Sequence, residues 1–115
     1  MESPALVPDG PVDRAHLYRM TLGDPTLEDE VLRLFERQAV MLIGRMAGAP
    51  ADCVAALAHT LDGSARGIGA WRVAQAAQAL ERVAQAGGDT GAAIGTLRLA
   101  IDEALVAIAG MLRVH

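Results

Sequence analysis

Residues 50–70 read PADCVAALAHTLDGSARGIGA, and this stretch predicts an amphipathic helix. Pro50 suits the first turn of a helix, whereas Gly67 and Gly69 favour its end. The apolar residues recur every three or four positions, which places them on one side of the helix: Val54, Leu57, Leu61, Ala65 and Ile68. The stretch therefore supplies one core-facing helix, and the sequence on either side of it predicts the elements that pack with it.

Four further helices are predicted around this one. Toward the N-terminus, Asp13 suits the cap of a short helix, and Gly23-Asp24-Pro25 precedes a longer helix. Toward the C-terminus, a helix begins near Trp71 and stops at Gly87-Gly88, and the last helix follows. No alternating apolar run bounded by hairpin turns indicates a strand. The predicted fold class is all-α: an antiparallel up-down four-helix bundle with a short additional N-terminal helix.

Length and composition predict a single packed domain. The chain has 115 residues, of which 52% are hydrophobic and 21% are charged. This length suits one domain, and the hydrophobic fraction is too high for a disordered protein. Three prolines and one glycine lie within residues 1–12, which are predicted to form a flexible N-terminal tail. Residues 13–115 are predicted to form the bundle domain.

Charge and hydropathy argue against two classes of partner. All ten basic residues are arginines and the formal net charge is −4, which disfavours nucleic-acid binding because phosphate neutralisation needs clustered cations. Charged residues interrupt the most apolar stretch, residues 92–111, and no signal peptide is visible, so we expect a cytoplasmic protein without membrane contact.

The single cysteine, Cys53, has no partner for an internal disulfide and is predicted to be a small buried hydrophobe.

The outer face of the helix in residues 50–70 is unusual because it carries a histidine beside a glycine. At about 100° per residue, His59 lies about 200° from Leu57 and points away from the core. Asp62, Gly63 and Arg66 follow His59 on the same outer face. A glycine inside a helix costs about 1 kcal/mol relative to alanine, and its missing side chain clears space above the imidazole. This pairing favours close approach by another protein.

The run from Ala58 to Ala70 resembles the signature of the histidine-containing phosphotransfer (HPt) domains of multistep two-component signalling. That signature reads His-x-Leu-Lys-Gly, followed by small residues and a Gly-Ala at the turn, and its counterparts here are His59, Leu61, Gly63 and Gly69-Ala70. The run Leu22-Gly23-Asp24-Pro25 is similar to the start of these domains. The resemblance covers roughly residues 13–112.

The resemblance implies that His59 accepts a phosphoryl group from a receiver-domain aspartate and passes it to another receiver in a phosphorelay. The chain would then be a phosphocarrier without kinase activity of its own. It would need no cofactor and no metal site, because Mg²⁺ belongs to the partner receiver. The implied partners are response-regulator receiver domains, with a hybrid histidine kinase as a further candidate. We expect a monomer, since a filled bundle core should leave no exposed leucine stripe.

The resemblance also implies roles for residues around His59. A Glu or Gln in relatives hydrogen-bonds the inner ring nitrogen, which here suggests Glu81 as the residue that orients the imidazole, with Gln78 as the alternative. The other histidines, His16 and His115, are predicted to have no special role. The docking surface for a partner is expected to include Ala55, Ala56, Asp62, Gly63 and Arg66.

Asp62 departs from the family pattern, which usually has a lysine at this position. An aspartate reverses the charge, and like charges about 5–6 Å apart cost a few tenths to 1 kcal/mol. Arg66, one turn further on, is a candidate to compensate. The alternative function is therefore a degenerate HPt-like module that binds a receiver or histidine kinase without transferring phosphate. Two weaker alternatives are a purely structural bundle or kinase dimerisation piece, and a zinc site of His59, Asp62 and Glu81.

Overall fold

The computed structural model describes residues 10–113, and this part of the chain contains helices and no strand. The predicted all-α fold with a short additional first helix is confirmed. No helix in residues 10–113 is both long and apolar enough to cross a bilayer. The five helices are α1 (Arg14–Met20), α2 (Pro25–Met46), α3 (Ala51–Ile68), α4 (Trp71–Gln85) and α5 (Thr90–Arg113).

The four longer helices share one apolar core. Helix α2 packs against α3, α3 against α4, α4 against α5 and α5 back against α2, while α1 packs on α3. Leucines from each of the four helices are fully buried at the centre, and burial of one such side chain contributes about 1.5–3 kcal/mol. Small alanines between them allow the helix backbones to approach closely. The central leucines are Leu32, Leu61, Leu80 and Leu97.

Local sequence signals account for the helix ends. Asp24 caps α2 by accepting hydrogen bonds from the backbone nitrogens at positions 26 and 27, and Pro25 occupies the first turn, as predicted. Helix α3 ends at Ile68 and is followed by its C-cap Gly69, whose φ is +79°; a Cβ atom there would lie 2.9 Å from the Cβ of Asp13. Since α4 begins at Trp71, the α3–α4 connection is short and brings their side chains together.

A set of contacts holds α1 against the α3–α4 turn, and we call Asp13, His16 and Trp71 the α1 anchor. The backbone nitrogen of Asp13 donates to the carbonyl of Gly69 at 2.9 Å, and its carboxylate accepts from Trp71 Nε1 at 2.9 Å and from the backbone nitrogen of His16 at 3.1 Å. The side-chain bond from Trp71, followed by the backbone bond from His16, holds the pKa of Asp13 below its usual value. The anchor therefore fixes α1 across a long sequence separation.

His16, predicted to have no special role, makes two structural contacts within the α1 anchor region. The ring of His16 meets Trp71 edge-on with centroids 4.8 Å apart, and its Nε2 donates to the backbone carbonyl of Arg66 at 2.9 Å. His115 and residues 1–9 of the predicted tail lie outside the described residues. Val12, also assigned to the tail, is buried in the core because it directly precedes the anchored Asp13.

Two expectations about exposure are corrected. Cys53 is exposed, because it lies on the outer side of the first turn of α3, next to the buried Val54. Helix α5 leaves Leu99 and Val106 exposed at 69% and 74%. The absence of a leftover apolar stripe, on which the expectation of a monomer was based, therefore does not hold for α5.

Candidate functional site

His59 lies in the middle of α3, and its side chain is 73% exposed. Two nearby residues of the same helix, Ala58 and Leu61, are completely buried. Because these neighbours fix the rotation of α3 about its own axis, the imidazole projects into solvent from a rigid helix.

The carboxylate of Glu81 on α4 lies against the inner ring nitrogen of His59. Both of its oxygens are 3.3 Å from Nδ1, so Nδ1–H donates to the carboxylate. The carboxylate is itself held by Gln85, whose Nε2 lies 3.5 Å from Oε2 of Glu81. A proton kept on Nδ1 leaves the lone pair on Nε2, which faces outward. Gln78, the alternative orienting residue, makes no hydrogen bond to His59 within the described chain.

Asp62 and Arg66 form an ion pair one and two turns beyond His59. The Nε atom of Arg66 donates to Oδ1 of Asp62 at 2.7 Å. The side chain of Asp62 is only 14% exposed, whereas that of Arg66 is 46% exposed. Covered by the guanidinium, the carboxylate presents little negative surface to an approaching partner.

Gly63 is not required by the packing of residues 10–113. A Cβ atom at Gly63 would meet no atom within 4 Å, because the position faces open space. Glycine at this position lowers the stability of the helix by about 1 kcal/mol relative to alanine. No close contact of the described residues explains why glycine is present. Other helical glycines, such as Gly95, have the same open space, so what distinguishes Gly63 is its position one turn from His59.

A strip of small exposed residues leads from His59 across α3 toward α2. At about 100° per residue, its members lie about 40° to 100° from His59 around the helix: Gly63, Ala56, Gly67 and Thr60. The strip ends at an apolar cleft of about 250 Å³ between α1, α2 and α3, lined by residues that include Met20, Val31, Leu34, Phe35 and Ile68. We call these two features together the strip and cleft surface.

The exposure of two residues, Ala55 and Leu22, differs from what the sequence led us to expect for this surface. Ala55, expected to contact a partner, belongs to the core cluster and is only 9% exposed, which leaves little surface for docking. Leu22, which sequence reasoning placed only in a loop motif, is 89% exposed with a φ of +55°. A large apolar residue seldom adopts this left-handed conformation. The only sequence feature that pointed to Leu22 was its position directly before Gly23. In the structure, a Cβ atom at Gly23 would lie 2.8 Å from the ring of Tyr18.

The sequence model of the Hpt domain family matches residues 30–108, which is more than half of the chain. The chain belongs to the Hpt domain family. Membership assigns the chain to histidine phosphotransfer in phosphorelays, in which Hpt domains interact with receiver domains and histidine kinases. No curated protein matches the sequence significantly.

Two solved structures resemble this Hpt domain over 90% of its length. Histidine phosphotransferase ShpA from Caulobacter crescentus is 33% identical, with a TM-score of 0.70 and 92% of that chain covered. A histidine-containing phosphotransfer protein from rice is 24% identical, with a TM-score of 0.78 and 80% of that chain covered. The likeness to the rice protein supports the fold.

The site of this Hpt domain offers a nucleophile and no metal cluster. Within residues 10–113, no group of three or more His, Cys, Asp and Glu side chains could hold a metal ion, so the zinc alternative is not supported there. The unprotonated Nε2 of a neutral imidazole is a nucleophile. If Nε2 gains an electrophile, the ring becomes cationic, and the carboxylate of Glu81 is placed to balance that charge.

Proposed function

We propose that this Hpt domain is a phosphocarrier that takes a phosphoryl group from a receiver-domain aspartate onto Nε2 of His59 and passes it to another receiver. The observation that carries the proposal is the exposed imidazole whose Nδ1 donates to Glu81. The carrier acts in the cytoplasm and has no kinase activity of its own. Because Leu99 and Val106 of α5 are exposed, sedimentation equilibrium tests whether the chain is the expected monomer.

The transfer step needs only a nucleophile from this chain. The lone pair of Nε2 on His59 attacks phosphorus, the bond from phosphorus to the aspartyl oxygen breaks, and the receiver's carboxylate leaves with the electron pair. The proton on Nδ1 stays in place, so the phosphorylated ring is cationic and is stabilised by the carboxylate of Glu81. In the second transfer, a carboxylate attacks phosphorus and Nε2 departs with the electron pair. Mg²⁺ and the acidic residues that hold it belong to the receiver.

The strip and cleft surface suits a receiver that must come close to His59. In-line attack requires reacting atoms about 3–3.5 Å apart, and the missing side chain of Gly63 removes an obstacle to this approach. Large apolar side chains beside the cleft resemble the core of a protein interface, which is typically apolar with a charged rim. Met20 and Leu34 line the cleft, and the exposed Tyr18 and Leu22 lie in α1 and in the turn that follows it.

The test is incubation of the protein with a panel of phosphorylated receivers. The expected result is an acid-labile, base-stable phosphoryl group on the wild-type chain and none on His59→Ala. His16→Ala is the control, because His16 is the other histidine within residues 10–113, and this variant should still be labelled. Label that survives in His59→Ala, or none from any receiver, would contradict the proposal.

A second candidate function rests on Asp62, which stands where the family usually has a lysine. A degenerate module would bind a receiver or histidine kinase without transfer. In that case wild-type protein and His59→Ala bind the same partner with equal affinity, and the wild type is not labelled. If Asp62→Lys alone then permits labelling, the reversed charge is what prevents transfer.

A further inference from the structure

We propose that Arg66, positioned by Asp62, is the cation that binds the phosphoryl group on His59. The inference rests on the proposed function of His59 as phosphoryl acceptor. It assigns a role to an ion pair that the transfer step itself does not use.

The helix places Arg66 in line with His59. Arg66 follows His59 by seven residues, which brings the two Cα atoms to within about 20° of each other around the helix axis. Side chains on a helix lean toward its N-terminus, so Arg66 leans toward His59. The hydrogen bond from Nε to Asp62 holds the guanidinium beside Asp62, whose Cα is only about 4.5 Å from that of His59 along the axis.

Arg66 keeps donors free for a ligand. Within the described chain only its Nε is engaged by a side chain, at 2.7 Å from Asp62 Oδ1, so the two terminal amino groups are available. A guanidinium donates strong, charge-assisted hydrogen bonds to phosphoryl oxygens. Its backbone is also fixed, because His16 Nε2 donates to the carbonyl of Arg66 at 2.9 Å.

Gly63 opens the space between the two side chains. It lies on the outer face of α3 between His59 and Arg66, and a Cβ atom at this position would meet nothing within 4 Å. A phosphoryl group on Nε2 can therefore meet the guanidinium across bare backbone. The Asp62–Arg66 pair thus places a cation near the phosphoryl group in a chain whose residue 62 is acidic.

The experiment measures the equilibrium ratio of phospho-His59 to phosphorylated receiver, for one receiver that labels the wild type. This ratio reports the stability of phospho-His59 and not the rate of docking. We expect Arg66→Gln to lower it by about tenfold, the low end of the loss expected for a hydrogen bond to a charged group, because the site is exposed to solvent. Arg66→Lys should restore part of the loss. Arg98→Gln, at an exposed arginine on α5, is the matched control and should leave the ratio unchanged.

The positioning role of Asp62 is tested by a double-mutant cycle. In the wild-type background Asp62→Asn should lower the ratio, since Arg66 loses its anchor. In the Arg66→Gln background the same change should raise it, since an unpaired negative charge is removed. An increase in both backgrounds, or a ratio for Arg66→Gln equal to that for Arg98→Gln, would overturn this inference while His59 remains a proven acceptor. Absence of label on the wild type would instead refute the proposed function and this inference with it.

Discussion

The carboxylate of Glu81 lies 3.3 Å from Nδ1 of His59 across the contact between α3 and α4. Each residue directly adjoins a fully buried residue of its own helix, Ala58 for His59 and Leu80 for Glu81. The core therefore sets the register of the two helices, and that register brings the carboxylate to the imidazole. The contact between His59 and Glu81 depends on the packing of α3 against α4 and not on the sequence of α3 alone.

The first prediction concerns the tautomer of His59. Glu81→Ala should remove the acceptor for Nδ1–H and slow phosphotransfer by about tenfold, which corresponds to the loss of one hydrogen bond to a charged group. Glu81→Gln should retain more activity, because its amide oxygen still accepts. Nitrogen NMR shifts of the His59 ring measure the tautomer directly. Gln78→Ala, which removes no hydrogen bond to His59 within the described residues, should change neither reading. An effect as large as that of Glu81→Ala would contradict the assignment.

The second prediction separates stability from function at Gly63. Gly63→Ala should raise the free energy of unfolding by about 0.5–1 kcal/mol, because alanine favours the helix and its Cβ meets no atom of the described residues within 4 Å. The same change should lower the rate of transfer from a receiver, since the new methyl group enters the space above the imidazole. Urea denaturation and initial labelling rates measure the two effects.

Gly95→Ala provides the control for this prediction. Gly95 is an exposed glycine of α5 at which a Cβ atom would also meet nothing within 4 Å. Its replacement should stabilise the fold by a similar amount and leave transfer unchanged. Equal transfer rates for Gly63→Ala and Gly95→Ala would show that the space at Gly63 is not used by a partner.

The third prediction concerns Leu22, which exposes a large apolar side chain in a left-handed conformation. Leu22→Gly should not reduce the free energy of unfolding, because glycine adopts this conformation without strain. Receiver affinity should nevertheless fall by about tenfold, the expected loss when an apolar contact residue is truncated. Isothermal titration calorimetry measures the affinity. Leu99→Gly would disturb α5, so Leu99→Ala is the control for an exposed leucine elsewhere; it should bind like the wild type.

The helices were predictable from the sequence, whereas the burial of several residues at the edges of their core-facing sides was not. Periodicity and caps such as Asp24 are local signals, so the helices and their order agree with the structure. Burial at the edge of a helix face depends on which side the adjacent helices cover. Ala55 lies about 40° from His59 around α3 and is buried, whereas Cys53 is exposed. Periodicity alone does not distinguish these two flanks of the helix.

The α1 anchor as a whole could not be predicted from sequence patterns either. Asp13 was correctly predicted to cap α1, because a cap is defined by residues three positions apart. Its second bond, to Trp71, joins residues 58 positions apart and exists only once α4 has packed. The Asp62–Arg66 pair was partly predictable. Its i,i+4 spacing is visible in the sequence, but the burial of Asp62 is not.

The last prediction concerns the acid stability that the α1 anchor provides. Asp13→Ala removes the cap of α1 and the acceptor for Trp71, and should cost about 1 kcal/mol at neutral pH, the usual cost of losing an N-cap. The pKa of Asp13 is lower in the folded than in the unfolded chain, mainly because of the bond from Trp71. The unfolded state therefore binds the proton more readily, so the stabilisation is complete above the unfolded pKa of about 3.8 and is lost as the pH falls through the lower folded pKa.

Thermal melts between pH 7 and pH 2.5 measure this difference. The gap in Tm between wild type and Asp13→Ala should be constant down to about pH 5 and should shrink below the unfolded pKa of 3.8. Asp102→Ala, at an exposed aspartate on α5, controls for the loss of a surface charge. Trp71→Phe should weaken the pH dependence while the backbone bond from His16 to Asp13 remains. A gap that stays constant to pH 2.5 would show that Asp13 stabilises α1 without the ionised carboxylate.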